Sequence, residues 1–288
     1  MDLCNKKDIE LLLRRHGFHF SKALGQNFLI DSSVPQKIAE SCGADKHTGV
    51  LEVGPGIGPL TQHLAQRAGK VLSVELDRSL YPVLEETMAG FSNFKLIEAD
   101  IMKCDLASLT AKYLSGLNLI LCANLPYNIS TALLTRCVES KLFESLTVLI
   151  QKEVAQRVCA LPGTSDYGAF SLLMQYYTEP ELLFTVPSTC FFPAPKVTSA
   201  VVRCLRRQSP PVQVNSVSSL WRAVRAGFAQ RRKTLVNSLQ SGYPLSKEIL
   251  KHTVDVCGLP PDIRGERLSL QNYANLANAL DAAMAENS

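Results

Sequence analysis

The chain has 288 residues, 46% of them hydrophobic and 19% charged, with a formal net charge of +4. That apolar share excludes a disordered chain, and 16 glycines with 15 prolines exclude a collagen-like one. No run approaches the roughly 20 apolar residues of a membrane span, and an N-terminus carrying Asp2, Asp8 and Glu10 resembles neither a secretory signal nor a transit peptide; a soluble, cytoplasmic protein with no membrane attachment is expected.

From about residue 48 onward, apolar runs that suit buried strands alternate with amphipathic stretches that suit helices. Strands are predicted at 49–53, 70–75, 94–98, 117–123 and 146–151, and helices at 60–67, 80–88, 107–113, 131–140 and 154–160. Such alternation predicts an α/β fold, a parallel sheet covered on both faces. Two later strands, 181–186 and 199–205, read as a closing antiparallel pair. After a Pro-containing break at 208–211 the pattern turns helical, at 218–229, 234–240, 246–257 and 269–285. The expected organisation is a large domain over 1–207 and a small all-helical one over 212–288. The nine cysteines contain no C-x-x-C pair and the five histidines no H-E-x-x-H motif, so neither a disulfide scaffold nor a metal site is expected.

The glycine loop 54–58 closes the first strand and opens a helix, a place where backbone can approach a ligand closely. Its pattern is G-x-G-x-G, neither the G-x-G-x-x-G of a dinucleotide site nor a P-loop with its lysine; taken alone it also suits a tight structural turn. Glu75 falls at the end of the second strand, where a carboxylate can accept from ribose hydroxyls. Asp100 follows the third, where it can accept from an adenine amino group. Three consecutive strand ends thus outline an adenosine-shaped pocket without a phosphate clamp, which fits S-adenosylmethionine better than a nucleotide.

The fourth strand ends in Asn124-Leu125-Pro126-Tyr127. Adenine N6 is a poor nucleophile because its lone pair is delocalised into the ring. The Asn124 side-chain oxygen and the Leu125 carbonyl can accept its two N–H bonds and favour a more tetrahedral nitrogen. Pro126 stiffens the turn, and Tyr127 offers a face for an extruded base, worth ~1–3 kcal/mol. An ordinary strand-to-helix turn is the plainer alternative for this tetrapeptide.

Charge is unevenly spread. Between Leu182 and Lys247 there is no Asp or Glu, but there are ten Lys or Arg. Such a stretch suits a phosphate backbone, because each neutralised phosphate releases counterions; a merely solvating face is the alternative. Lys196, Arg222, Arg225, Arg231, Arg232 and Lys233 are the candidate RNA contacts.

Five stretches together, Lys22–Asp31 (KALGQNFLID), Glu52–Gly58 (EVGPGIG), Val74–Asp77 (VELD), Asn124–Ser130 (NLPYNIS) and Phe191–Ser199 (FFPAPKVTS), resemble the rRNA adenine N6-dimethyltransferases, and Gly258–Ser269 (GLPPDIRGERLS) resembles the tail of the small-subunit enzymes of that family. The likeness spans about residues 18–280. It implies a Rossmann-like class I S-adenosylmethionine-dependent methyltransferase sheet with a small C-terminal helical domain. It further implies that Asn27 and Leu29 contact the cofactor with Gly54, Gly56, Glu75, Asp100 and Asn124, and that Phe191 closes on the target base opposite Tyr127. The implied reaction is dimethylation of two adjacent adenines in the loop of the 3′-terminal helix of small-subunit rRNA, within a pre-small subunit, by a monomer that needs no metal. Two alternatives stand beside it, an antibiotic-resistance methyltransferase of large-subunit rRNA and a non-catalytic ribosome assembly factor. A mitochondrial relative that doubles as a transcription factor is disfavoured by the absent transit peptide, and a small-molecule methyltransferase has no need of the acid-free basic stretch.

Overall fold

The computed structural model describes residues 1–20 and 25–287. Lys22, Ala23 and Leu24, which open the first family motif, lie outside the described residues. The chain divides into two compact units, Met1–Ala155 with Thr178–Arg206, and Gln156–Tyr177 with Arg207–Ser288.

The first unit begins with α1 (Lys6–Arg15), capped by the Asn5 side chain on the Lys7 and Asp8 amides, then β1 (Phe28–Leu29) and α2 (Ser33–Ser41). The alternating core follows as β2 (Thr48–Val53), α3 (Pro59–Arg67), β3 (Lys70–Glu75), α4 (Tyr81–Thr87), β4 (Phe94–Glu98), α5 (Leu106–Leu114), β5 (Asn118–Asn124), α6 (Ser130–Ser140), β6 (Ser145–Gln151) and α7 (Lys152–Cys159). After α8 (Ala169–Tyr177) come β7 (Thr178–Val186), β8 (Phe191–Phe192) and β9 (Ser199–Arg206).

Seven strands form one sheet in the order β4-β3-β2-β5-β6-β9-β7. The five strands from β4 to β6 are parallel, and β9 and β7 complete it antiparallel. Burial explains the order. Every residue of β2 is buried, as a strand covered on both faces requires, whereas edge strand β4 has no fully buried residue. The expected closing pair is present, with β9 inserted between β6 and β7. Because β2 pairs with β3 on one side and β5 on the other, strand order reverses there, and a crevice opens beyond the carboxyl ends. Two further strands form a short ribbon apart from the sheet: β1 pairs antiparallel with β8, Phe28 opposite Phe192 and Leu29 opposite Phe191.

The second unit continues with α9 (Val217–Phe228), α10 (Leu235–Leu239), α11 (Lys247–Val256) and α12 (Leu270–Glu286), the last opened by a Ser269–Asn272 capping box. Its core holds Tyr167, Leu172, Leu220, Leu235 and Tyr273, all fully buried. The unit is helical among the described residues, but its membership differs from the boundary expected at 207, because α8 and the preceding segment belong to it. The reason is packing: Tyr167 and Leu172 join this core, and the Tyr167 hydroxyl donates to the Leu268 carbonyl at 2.8 Å.

The Gly258–Ser269 motif is structural here. The Leu235 amide donates to the Ile263 carbonyl at 2.7 Å and the Gly163 amide to the Glu266 carbonyl at 2.8 Å. At Gly265 a Cβ would stand 2.3 Å from the Gly227 carbonyl oxygen, so a side chain there would force the tail off α9.

Candidate active site

Ten sequence-predicted residues line one cavity at the carboxyl ends of β2, β3, β4 and β5: Asn27, Leu29, Gly54, Gly56, Glu75, Asp100, Asn124, Leu125, Pro126 and Tyr127. The floor is the glycine loop. Gly54 (φ 70°) and Gly56 (φ 62°) both take left-handed backbone, which favours glycine. The loop also runs between two neighbours, since a Cβ at Gly54 would lie 3.5 Å from the Pro126 ring and one at Gly56 3.2 Å from the Phe28 ring. The Gly54 amide donates to the Val74 carbonyl at 3.0 Å, tying the loop to the strand that carries Glu75.

Glu75 is held ready for a ligand. Its Oε1 accepts from the Leu76 and Asp77 amides at 2.8 and 2.9 Å, which fixes the carboxylate plane. Burial nonetheless pushes its pKa up, against the lowering effect of these amides and that of Gly56. Asp100 is oriented by the Met102 amide, which donates to Oδ1 at 2.9 Å. From the N-terminal side, Gln26 reaches over with its amide 2.6 Å from Asp77 Oδ2, and the Asn27 amide donates to the Gly25 carbonyl.

Glu52 also lines the cavity, and the sequence reading gave it no role of its own. It is 1% exposed, and burial pushes its pKa up to about 7 while the Ser73 hydroxyl donates to Oε2 at 2.6 Å. The cavity thus presents three carboxylates, Glu52, Glu75 and Asp100, and among its described lining residues no Lys, Arg or His. A polyphosphate would be repelled. A ligand with ribose hydroxyls, an amino-purine and positive charge suits this donor and acceptor set, so the residues fit S-adenosylmethionine.

The Asn124–Tyr127 turn closes the opposite wall. The Leu125 amide donates to the Leu149 carbonyl and the Ile129 amide to the Pro126 carbonyl, which fixes the turn between β5 and α6. Tyr127 is half-buried, and its hydroxyl lies 2.7 Å from Ser199 Oγ. Ser199 is fully buried at the start of β9 and ends the Phe191–Ser199 motif, so the motif supports the turn from a strand distant in sequence. Nothing in local patterning marks that pairing.

Two expectations are corrected. Phe191 does not face the cavity opposite Tyr127. It is 2% exposed and packs in the core of the first unit, and the cavity lining does not include it. The alternation of β8 turns Phe191 inward and Phe192 outward, where the Phe192 ring meets Phe20 edge-on and the Lys6 ammonium at 4.7 Å. Arg222 is not free to grip phosphate: Nε and Nη2 both donate to the Gly242 carbonyl, at 2.9 and 2.7 Å, and the guanidinium sits 4.4 Å from the Tyr243 ring centroid. Its fork closes α9 onto the end of α10. Arg225, Arg231, Arg232 and Lys233 are exposed in the second unit and Lys196 in the first, with no carboxylate partner among the described residues. All nine cysteines are free thiols, no described helix is long and apolar enough to cross a membrane, and no described cluster of His, Cys, Asp and Glu is arranged to hold a metal.

The switch-point cavity, its glycine loop and its carboxylate lining define a Rossmann-like methyltransferase of the S-adenosylmethionine-dependent kind. Comparison narrows the class. The family model described as ribosomal RNA adenine dimethylase matches residues 17–281, and the chain belongs to that family. It is 43% identical, over 97% of both chains, to the ribosomal RNA small subunit methyltransferase A of Bacillus mycoides strain KBAB4, and 42% identical over the same share to that of Bacillus cereus strain AH187. Among solved structures, the 23S rRNA methyltransferase ErmE superposes with a TM-score of 0.69 at 27% identity, covering 88% of this chain and 99% of its own. A dimethyladenosine transferase from Plasmodium falciparum shares the fold, with a TM-score of 0.72 at 22% identity over 86% of this chain and 95% of its own.

Proposed function

We propose that the protein dimethylates the N6 amines of two adjacent adenines in the loop of the 3′-terminal helix of small-subunit rRNA, acting as a cytoplasmic monomer on a pre-small subunit. The observation that carries this reading is the Asn124–Tyr127 turn facing a carboxylate-lined cavity that has no cation in its described lining. S-adenosylmethionine, when bound, supplies a methyl group on a sulfonium, which is electrophilic without further activation. Glu75 holds the ribose, Asp100 accepts from the adenine amino group of the cofactor, and the glycine loop with Asn27 and Leu29 encloses the rest.

Catalysis by this chain is then mostly positioning. The target base leaves its stack, as chemistry at N6 requires, and rests against Tyr127. The Asn124 side-chain oxygen and the Leu125 carbonyl accept the amine N–H bonds, so that the nitrogen lone pair points along the line of transfer. The amine proton released on methylation goes to solvent, and no general base is needed beforehand. A monomethylated amine retains one N–H, so one of the two acceptors serves the second transfer. Arg225, Arg231, Arg232, Lys233 and Lys196 hold flanking phosphates, and single-stranded loop bases suit an enzyme that must splay out its target.

The test is methyl transfer from labelled S-adenosylmethionine to undermethylated small subunits, with large subunits and free rRNA alongside, followed by mass mapping. Label in two adjacent dimethyladenines near the 3′ end of small-subunit rRNA is expected. Label in large-subunit rRNA would favour a resistance-type enzyme, and tight particle binding without label would favour an assembly factor.

A further inference from the structure

The segment after β4 forms the wall on which Asp100 and Ile101 stand. It turns tightly, with the Lys103 amide donating to the Asp100 carbonyl at 2.9 Å and the Cys104 amide to the Ile101 carbonyl at 3.3 Å. Such a turn leaves carbonyl oxygens gathered on one side. Here a single cation meets them. Arg136, half-buried on α6, donates from Nη1 to the carbonyls of Ile101 and Met102, at 2.9 Å each, and from Nη2 to that of Cys104 at 2.6 Å. The next residue, Asp105, caps α5 through the Ser108 amide and has its pKa lowered in part by the Arg136 charge. One guanidinium therefore gathers the whole Asp100–Asp105 turn.

Its place in the chain gives this contact a consequence. α6 begins at Ser130, three residues past Tyr127, and the Ser130 hydroxyl donates to the Tyr127 carbonyl at 3.1 Å. Arg136 stands on that same helix. We propose that Arg136 is a positioning residue for the adenine end of the cofactor pocket. It holds Asp100 and Ile101 in register with the helix that carries the amine-binding turn. This rests on the reading above, in which Asp100 accepts from the cofactor's adenine amino group. A planar fork is needed because three carbonyls are served from two nitrogens; a lysine ammonium brings charge but cannot span them in the same geometry. Without the fork, the Met102 and Cys104 carbonyls of a half-buried turn lose this donor and that of Ile101 keeps only the Cys104 amide, so the turn opens to find water.

The test is calorimetric binding of S-adenosylhomocysteine and of its analogue with hypoxanthine in place of adenine, to wild type, Arg136→Lys and Arg136→Met. In the analogue a carbonyl replaces the amino group, so a correctly aimed Asp100 discriminates against it. Wild type should prefer the adenine compound by about tenfold or more, the scale of one hydrogen bond to a charged acceptor. Arg136→Met should weaken adenine-compound binding by roughly tenfold and bring the preference toward one, with Arg136→Lys between the two. In turnover the Arg136→Met change should raise KM for the methyl donor while kcat at saturation falls by no more than about threefold, since the amine-binding turn is intact. A Met variant that keeps wild-type affinity and preference overturns the role of Arg136 alone. Wild type without any preference overturns the assignment of Asp100, and the proposal with it. Should Arg136→Met fail to fold, the Lys variant decides: unchanged preference there refutes the need for a fork.

Discussion

The bond between the Tyr127 hydroxyl and Ser199 Oγ offers the sharpest test of how the target base is received. Ser199 is fully buried and Tyr127 half-buried, so the Ser199 hydroxyl cannot exchange its partner for bulk water without moving. A neutral hydrogen bond of this kind contributes about 1 kcal/mol net, but an orphaned buried partner costs ~1–3 kcal/mol. Ser199→Ala leaves the phenol unpaired, and Tyr127→Phe leaves the Ser199 hydroxyl unpaired. Each single change should cost about 1–2 kcal/mol, and the double variant hardly more than either, a coupling on the order of 1 kcal/mol in urea denaturation. The kinetic consequence separates anchoring from mere stability. Freed from Ser199, the ring turns away from the stacking pose in part of the population, and kcat should fall by about three- to tenfold with KM for the methyl donor unchanged. Steady-state transfer to small subunits, with equilibrium unfolding of all four proteins, supplies both readouts. Additive stability losses, or a Ser199→Ala protein with wild-type kcat, would refute the argument that β9 aims Tyr127.

Asn124→Ala should lower kcat by roughly a hundredfold or more, as loss of a transition-state acceptor does, yet retain measurable S-adenosylhomocysteine binding by calorimetry. Full activity would remove the role of the amide. Glu52 is protonated below its raised pKa of about 7 and must ionise in a buried site above it. Its contribution to stability is therefore fully present below the unfolded carboxyl pKa and is lost as pH rises toward 7. Glu52→Gln should flatten the fall in stability between pH 5 and 8 by about 3 kcal/mol at most, as read by urea titrations at both values. Phe191→Ala should act on the fold, losing ~3–5 kcal/mol of stability. Phe192→Ala, at a partly exposed position, should lose much less in the same thermal melts. Reversing charge at Arg231, Arg232 and Lys233 should leave the melting temperature within about 3 °C but abolish salt-sensitive binding to small subunits in filtration assays; unchanged binding would move the RNA grip elsewhere.

The parallel core was legible from sequence because its signal is local. Runs such as Ile120–Ala123 and Val148–Ile150 are apolar at every position, as a strand covered on both faces permits, and the boundaries of their strands fell within a residue or two. The cavity residues Gly54, Glu75, Asp100 and Asn124 were legible for the same reason: each stands at or just past the end of a strand, and parallel strands bring their carboxyl ends to one edge. The family resemblance in Asn124–Ser130 pointed to a turn on the cavity wall that no periodicity would have disclosed, whereas its placing of Phe191 at the cavity did not hold.

What the sequence determined by itself was thus the alternation of strands and helices, the acids and turn at the strand ends, and the clustering of positive charge. Only the tertiary structure decided which side chains are spent on holding the fold. Phe191 and Phe192 differ by one position, and strand pairing with Phe28 and Leu29 alone determines which is buried. Arg222 and Arg225 look alike on one helix, yet the Gly242 carbonyl and the Tyr243 ring engage the fork of the first. Arg136 carries no sequence signal, because the carbonyls it meets lie 32 to 35 residues away. Burial and hydrogen-bond partnership depend on segments brought together from far apart, and periodicity within a single segment carries no record of them.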